Sequence, residues 1–282
     1  MVEIAADATA AAADDRASAD GLAPQPLLLA RGLSKRYAGL VALSDYSLDL
    51  AEGSIHGVIG PNGAGKTTLF NLLSGMVKPT SGSILLEGRE MTALRPAQVA
   101  QAGIARTFQN IRLFGDMSVI DNIRVASQRH EPGPFWAAML STPGFRRREH
   151  ATTARAEALL ELVGLTDRAQ RLSRSLPYGD QRRLEIARAV ATGPRVLMLD
   201  EPNAGMNPTE TADLLALIRR LRDERGITIV MVAHDIPLVM GLCDTIQVLN
   251  YGVLLAEGVP SVVRNDPAVI DAYLGAPADV GH

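Results

Sequence analysis

Nine consecutive residues, Gly60, Pro61, Asn62, Gly63, Ala64, Gly65, Lys66, Thr67 and Thr68, follow the apolar run Ile55–Ile59 and spell a phosphate-binding loop of the form GxxxxGK[ST]. The glycines let the backbone curl so that its N–H groups face an anion, and a helix opening at the two threonines aims its positive end the same way. Lys66 is expected to reach the β and γ phosphates of a nucleotide, and Thr67 to place its hydroxyl on Mg2+. A Gly-rich turn without this chemistry is the alternative. The strand before the loop, the intact Gly-Lys-Thr triplet and the apolar Leu69, Phe70, Leu72 and Leu73 behind it argue against that alternative.

A phosphate loop alone does not separate a kinase from a GTPase or a transport motor. The second half of the chain supplies the distinction. Residues 195–200 read as a buried strand, Val196, Leu197, Met198 and Leu199, ending in Asp200, an acid able to hold Mg2+ through water. Glu201 follows at once. A carboxylate beside the metal-binding acid, at the carboxyl end of a strand, is placed to polarise a water for attack on the γ phosphate. A merely solvated strand-end acid is the plainer reading.

Upstream stand Leu176, Pro177, Tyr178, Gly179 and Asp180, then the helix-like run 181–188. This stretch resembles the signature loop and helix of ABC transporter ATPases, whose common form is Leu-Ser-Gly-Gly-Gln. Further positions match that family. The resemblance implies that Tyr37 stacks on adenine, that Gln109 senses the metal and the membrane subunit, and that His234 is the switch histidine after the last core strand. Residues 203–207 fall in the loop along the dimer seam, although Met206 and Asn207 stand where Leu and Asp are commonest. Taken singly, Tyr37 reads as half-buried packing, Gln109 as a polar residue after a strand over 103–108, and His234 as a core histidine following the β-branched run 227–232.

The same resemblance implies the partners and the mechanism. Two ATPase chains sandwich two ATP molecules head to tail, each nucleotide lying between one chain's phosphate loop and the other's signature. Two membrane permease subunits, and through them an extracytoplasmic substrate-binding protein, complete an importer at the cytoplasmic face of the inner membrane. The wording of 176–188, 233–241, 250–258 and 267–275 is similar to the larger ATPase subunit of branched-chain amino acid importers, whose two ATPases differ. Pro177 and Asp180 depart from the common signature. Proline offers neither hydroxyl nor N–H, and Asp180 adds a carboxylate near a polyanion, so a site built on them is expected to be weaker. Alternatively, Asp180 caps a helix beginning at Gln181. A soluble ABC-type ATPase of DNA repair or cluster assembly shares the nucleotide motifs, but its coiled-coil arms or zinc cysteines find no counterpart here. A non-hydrolysing interaction subunit is opposed by the intact Lys66, Asp200, Glu201 and His234.

Bulk properties agree. A chain of 282 residues, 47% hydrophobic and 21% charged, can bury a sizeable core. With 28 basic against 31 acidic residues it carries no electrostatic footprint for nucleic acid. The single Cys243 cannot form an internal disulfide, which fits a reducing compartment. No run approaches a membrane span, and the N-terminus lacks the basic start of a secretory signal.

These residues need elements to position them. Residues 1–26, Ala-rich and acidic, read as a disordered tail, and 27–275 as the ATPase domain. Within it, 27–110 hold a β lobe and the phosphate loop, with Tyr46, Leu48 and Leu50 alternating against Ser47 and Asp49. Residues 111–178 read as a helical subdomain, 179–258 as the core with signature helix and switch histidine, 259–275 as a C-terminal helix, and 276–282 as a tail. Leu214, Leu217, Ile218 and Leu221 fall on one helical face, and a hairpin turns around Asn250, Tyr251 and Gly252. Strands alternating with helices make this an α/β fold with a mainly parallel sheet; the family resemblance adds the antiparallel lobe of the P-loop NTPase core. Within the insertion 129–150, Pro132, Gly133, Pro134, Phe135 and Trp136 precede Arg146, Arg147 and Arg148. The arginines read either as a solvated helix start, the preferred reading, or as a contact to anionic lipid worth on the order of 1 kcal/mol per residue.

Overall fold

The computed structural model describes residues 25–127 and 142–274. The first unit is an antiparallel sheet in the order β2-β1-β4-β5, built from β1 (Leu28–Tyr37), β2 (Leu40–Leu50), β4 (Ser81–Leu86) and β5 (Arg89–Glu90). Its alternation is the expected one: Tyr46, Leu48 and Leu50 face inward, while Asp49 is exposed. Between β2 and β4 the chain enters β3 (Ile55–Ile59) and α1 (Lys66–Leu73). Thus the phosphate loop connects a strand to a helix, as its spelling requires.

The second sheet has the order β10-β9-β3-β8-β7-β6, adding β6 (Ile104–Arg106), β7 (Val196–Asp200), β8 (Thr228–Val232), β9 (Thr245–Asn250) and β10 (Val253–Gly258). Its ladders are parallel except for the β9–β10 hairpin. Both faces are covered, so its central strands are mostly apolar, with His56 in β3 and Gln247 in β9 as buried polar exceptions. In β7, Val196 and Met198 pack toward the antiparallel sheet, while Leu197 and Leu199 pack toward the helices. In β8, Val230 and Val232 take the first side and Ile229 and Met231 the second. Each such side chain removed from water contributes about 1.5–3 kcal/mol, so this sheet is the rigid frame for the loops at its carboxyl edge.

Helices complete the frame. After α2 (Pro96–Ala102) come α3 (Val119–Ser127), α4 (Pro143–Leu162), α5 (Tyr178–Val190), α6 (Pro208–Arg225), α7 (Ile236–Leu242), α8 (Pro260–Val263) and α9 (Pro267–Leu274). Leu214, Leu217, Ile218 and Leu221 are buried on α6 as their spacing predicts, and Gly226 ends that helix at φ 64°. Among the described residues, no helix is long and apolar enough to cross a membrane.

Four expectations change, one being that the C-terminal helix read over 259–275 is broken into α8 and α9, with Pro267 opening the second. Helix does not begin at residue 111; a loop runs to α3, held by the Asn122 side chain, which accepts from the Phe114 N–H at 2.9 Å and donates to its carbonyl at 3.1 Å. The strand read over 103–108 contracts to β6, because Gly103, at φ 114°, is the left-handed cap of α2. The signature helix begins at Tyr178, with Pro177 at its N-cap, three residues before the expected start. Proline at a cap loses no helical hydrogen bond, because the first N–H groups have no partner within the helix. Arg146 and Arg147 are exposed in the first turns of α4, as both readings require, while Phe135 and Trp136 lie outside the described residues.

Candidate functional site

The phosphate loop closes around two glycines that nothing larger could replace. A Cβ on Gly60, at φ 153°, would fall 2.1 Å from the Leu249 carbonyl oxygen, and one on Gly65, at φ 103°, 2.7 Å from that of Ala42. Lys66 Nζ donates to the carbonyl oxygens of Gly60 at 2.7 Å and Pro61 at 2.9 Å, which pulls the ammonium over the loop. Burial lowers the Lys66 pKa from its ordinary value, opposed by the charges of Glu201 and Asp200. Both carboxylates predicted for the site thus act on the lysine's charge.

A cleft of about 620 Å³ opens here, lined by Asn62, Gly63, Ala64, Gly65, Lys66, Thr67 and Thr68 together with Leu40, Val41, Ala42, Gln109, Glu201, His234 and Tyr251. Glu201 is the hub of its polar part. His234 Nε2 lies 2.6 Å from Glu201 Oε1, and Gln109 Nε2 donates to Oε2 at 3.3 Å. Glu201 itself sits at φ 46°, a left-handed conformation costly for a side chain of its size, held by its own N–H donating to the Val232 carbonyl at 2.8 Å. Residues far apart in sequence, 109, 201 and 234, thus converge on one carboxylate.

Tyr37 does not line the cleft. It ends β1 opposite Leu40, which does, and Lys35 Nζ stands 5.1 Å from its ring centroid. The signature residues Leu176, Pro177, Tyr178, Gly179 and Asp180 lie apart from the cleft at the start of α5, and the Tyr178 ring packs against Gly205. Asp180 is buried and ion-paired with Arg168 and Arg183. The expectation that it presents a carboxylate toward a phosphate is therefore corrected: its charge turns inward and is neutralised by two guanidinium groups. Asn207 caps α6, accepting from the Glu210 N–H at 2.9 Å, a role that Asn and the commoner Asp fill equally well.

Several functional neighbours were missed by sequence reasoning. Arg106 donates to Asp200 Oδ2 at 2.7 Å. Arg182, fully buried, donates to the carbonyl oxygens of Phe108 at 2.7 Å and Gln109 at 3.0 Å, and to Glu185 at 2.7 Å. The signature helix is thereby bonded to the loop that carries Gln109. Tyr273 on α9 is partly buried, and burial pushes its phenol up to about 12, opposed by the Gly60 backbone. Arg182 and Glu185, three apart on an otherwise apolar helix face, carried a readable signal; Arg106 and Tyr273 carried none, because their partners are distant in sequence.

A strand-to-helix phosphate loop, a strand-end Asp-Glu pair at the edge of a parallel sheet and a separate signature helix define a nucleotide-binding cassette. The chain belongs to the ABC transporter family, matching it over residues 43–204, and residues 253–279 match a further family described as branched-chain amino acid ATP-binding cassette transporter. It is an ATPase by that membership. It is 49% identical over 251 residues to the high-affinity branched-chain amino acid transport ATP-binding protein LivG of Escherichia coli strain K12, covering 89% of this chain and 98% of the relative. BraF of Pseudomonas aeruginosa, which carries the same description, is 48% identical with the same coverage. Among solved structures, the ADP conformation of the ATP-binding cassette MJ1267 superposes with a TM-score of 0.76 at 27% identity, covering 88% of this chain and 98% of that one.

Proposed function

We propose that the protein is the ATP-hydrolysing subunit of an importer of branched-chain or related hydrophobic amino acids, with Glu201 as the general base. The observation that carries the chemistry is the bracing of Glu201 by His234 and Gln109 within the cleft that holds Lys66. A carboxylate fixed at both oxygens can order a water and take its proton as the water attacks the γ phosphate. Lys66 and the loop amides bind the phosphates, and His234 orients the base. The donor set suits Mg2+: the Thr67 hydroxyl, the Asp200 carboxylate and the Gln109 amide oxygen are all hard oxygen ligands. When bound, the ion neutralises phosphate charge.

The substrate assignment is supported by the LivG and BraF relatives and by the match at 253–279. In this reading the chain pairs head to tail with a second ATPase, lies peripherally on the cytoplasmic face of the membrane, and moves two permease subunits that receive cargo from an extracytoplasmic binding protein. Tyr37 stacks on adenine from the rim, and the signature residues reach the partner's nucleotide. With Asp180 neutralised, any inequality between the two sites rests on Pro177. A groove of about 270 Å³ between the lobes, bordered by Met76, Phe108, Ala126 and Arg188, supports permease docking beside Gln109.

The test is Glu201→Gln in the reconstituted importer, assayed with a panel of amino acids. ATP binding should persist while turnover falls about 100-fold to 10,000-fold. Near-normal turnover would remove Glu201 from its role, and uptake of none of the hydrophobic amino acids by the unmutated importer would remove the substrate assignment.

A further inference from the structure

Tyr251 occupies a place that its own side chain disfavours. The β9–β10 hairpin turns on Tyr251 and Gly252 at φ 46° and 79°, with Asn250 and Val253 paired across it. Such two-residue turns need two left-handed residues and favour Asn-Gly or Gly-Gly, because a bulky L side chain is strained there. The turn is also rigidly seated. Gly252 N–H donates to the Ala64 carbonyl of the phosphate loop at 2.9 Å, the Ser44 N–H donates to the Gly252 carbonyl at 2.7 Å, and a Cβ on Gly252 would lie 2.8 Å from the Ala42 oxygen.

On this fixed base the tyrosine is 83% exposed and lines the cleft. Little of it is buried within the chain, so neither propensity nor packing explains an aromatic residue at this turn. The cleft divides chemically. Lys66, Gln109, Glu201 and His234 form its polar part, while Leu40, Val41 and Tyr251 bring exposed apolar surface beside Ala42. That division suits a triphosphate joined to a planar ring.

We propose that Tyr251 is a nucleotide-contacting residue whose ring lies against the base of the bound nucleoside triphosphate, complementing Tyr37 at the rim. The proposal rests on reading the cleft as the nucleotide site. Tyr251 then adds affinity for the base while leaving the grip on the phosphates to the loop.

The experiment is calorimetric titration of the full chain with ATP and with inorganic tripolyphosphate, both with Mg2+. Tyr251→Asn and Tyr251→Gly, each compatible with the turn, should weaken ATP binding about tenfold, the worth of one stacked base, and leave tripolyphosphate binding unchanged. Tyr251→Phe should bind ATP like the unmutated chain. Unchanged ATP affinity in the Asn and Gly variants, with or without loss of pairing to another subunit, overturns the proposal; so does a parallel loss for ATP and tripolyphosphate, which would mean that Tyr251 only supports the loop. Lys66→Ala should weaken both ligands. If it weakened neither, the cleft reading itself would fail, a result distinct from the failure of Tyr251 alone.

Discussion

Arg106 and Asp200, on neighbouring strands β6 and β7, form an ion pair of 2.7 Å that is almost wholly withdrawn from water. The other guanidinium nitrogen donates to Asn71 Oδ1 at 2.7 Å and Ser74 Oγ at 3.2 Å, at the far end of the phosphate-loop helix. Phe70 and Phe108 rings flank it at 5.4 and 5.3 Å. One side chain therefore joins the acid assigned to the metal, the phosphate-loop helix and the strand leading to Gln109.

Removing Arg106 should strand the Asp200 charge in a low-dielectric site. Arg106→Met is expected to lower the unfolding free energy by about 3–5 kcal/mol, with most of the loss recovered in Arg106→Met combined with Asp200→Asn. Urea unfolding of the four proteins of the cycle checks this. Additive losses would show that the pair does not interact energetically.

Arg182 spans two carbonyl oxygens, those of Phe108 and Gln109, while Glu185 Oε1 faces the N–H groups of Phe108 at 3.5 Å and Arg112 at 3.4 Å. Lysine carries charge but not the planar fork that meets two acceptors at once. Arg182→Lys should fold, loosen the loop around Gln109 and lower ATP turnover about tenfold. Hydrogen exchange is the direct readout: the amides of Phe108 and Arg112 should exchange faster, and equal rates in both proteins would refute the clamp.

His56 is buried in β3, and its Nε2 has no hydrogen-bond partner. Burial lowers its pKa from the ordinary 6.5, opposed by a hydrogen bond with Gln247 and by the charge of Glu257. The unfolded chain then binds the proton first as pH falls, so stability contributed by the neutral imidazole is complete above 6.5 and declines below it toward the depressed value. In that window the slope approaches about 1.4 kcal/mol per pH unit. His56→Gln should flatten the profile of unfolding free energy below pH 6.5. Identical profiles would show that His56 keeps an ordinary pKa.

The local elements of the site were legible because their chemistry is contiguous. Residues 60–68 need a tight glycine turn, a lysine and a hydroxyl in fixed order, and this requirement is written in neighbouring letters. The buried β7 and its terminal Asp200, the α6 stripe and the hairpin at 250–252 follow from the same kind of short-range constraint. Boundaries were less legible. One reading made Asp180 the cap of a helix beginning at Gln181, but Pro177 holds the cap and the helix starts directly after it.

Residue spacing thus established a phosphate-binding loop, an acid pair at a strand end and a parallel α/β frame, each set by interactions within a few residues. Only the tertiary structure decided that His234 and Gln109 meet on Glu201, that Asp180 turns inward to Arg168 and Arg183, that Arg106 reaches Asp200, and that Tyr251 lines the cleft from which Tyr37 is absent. The reason is physical. Those contacts join side chains from separate strands and helices, so their distances are set by how the sheet stacks and which loops share its carboxyl edge, and no local preference of the chain encodes that arrangement.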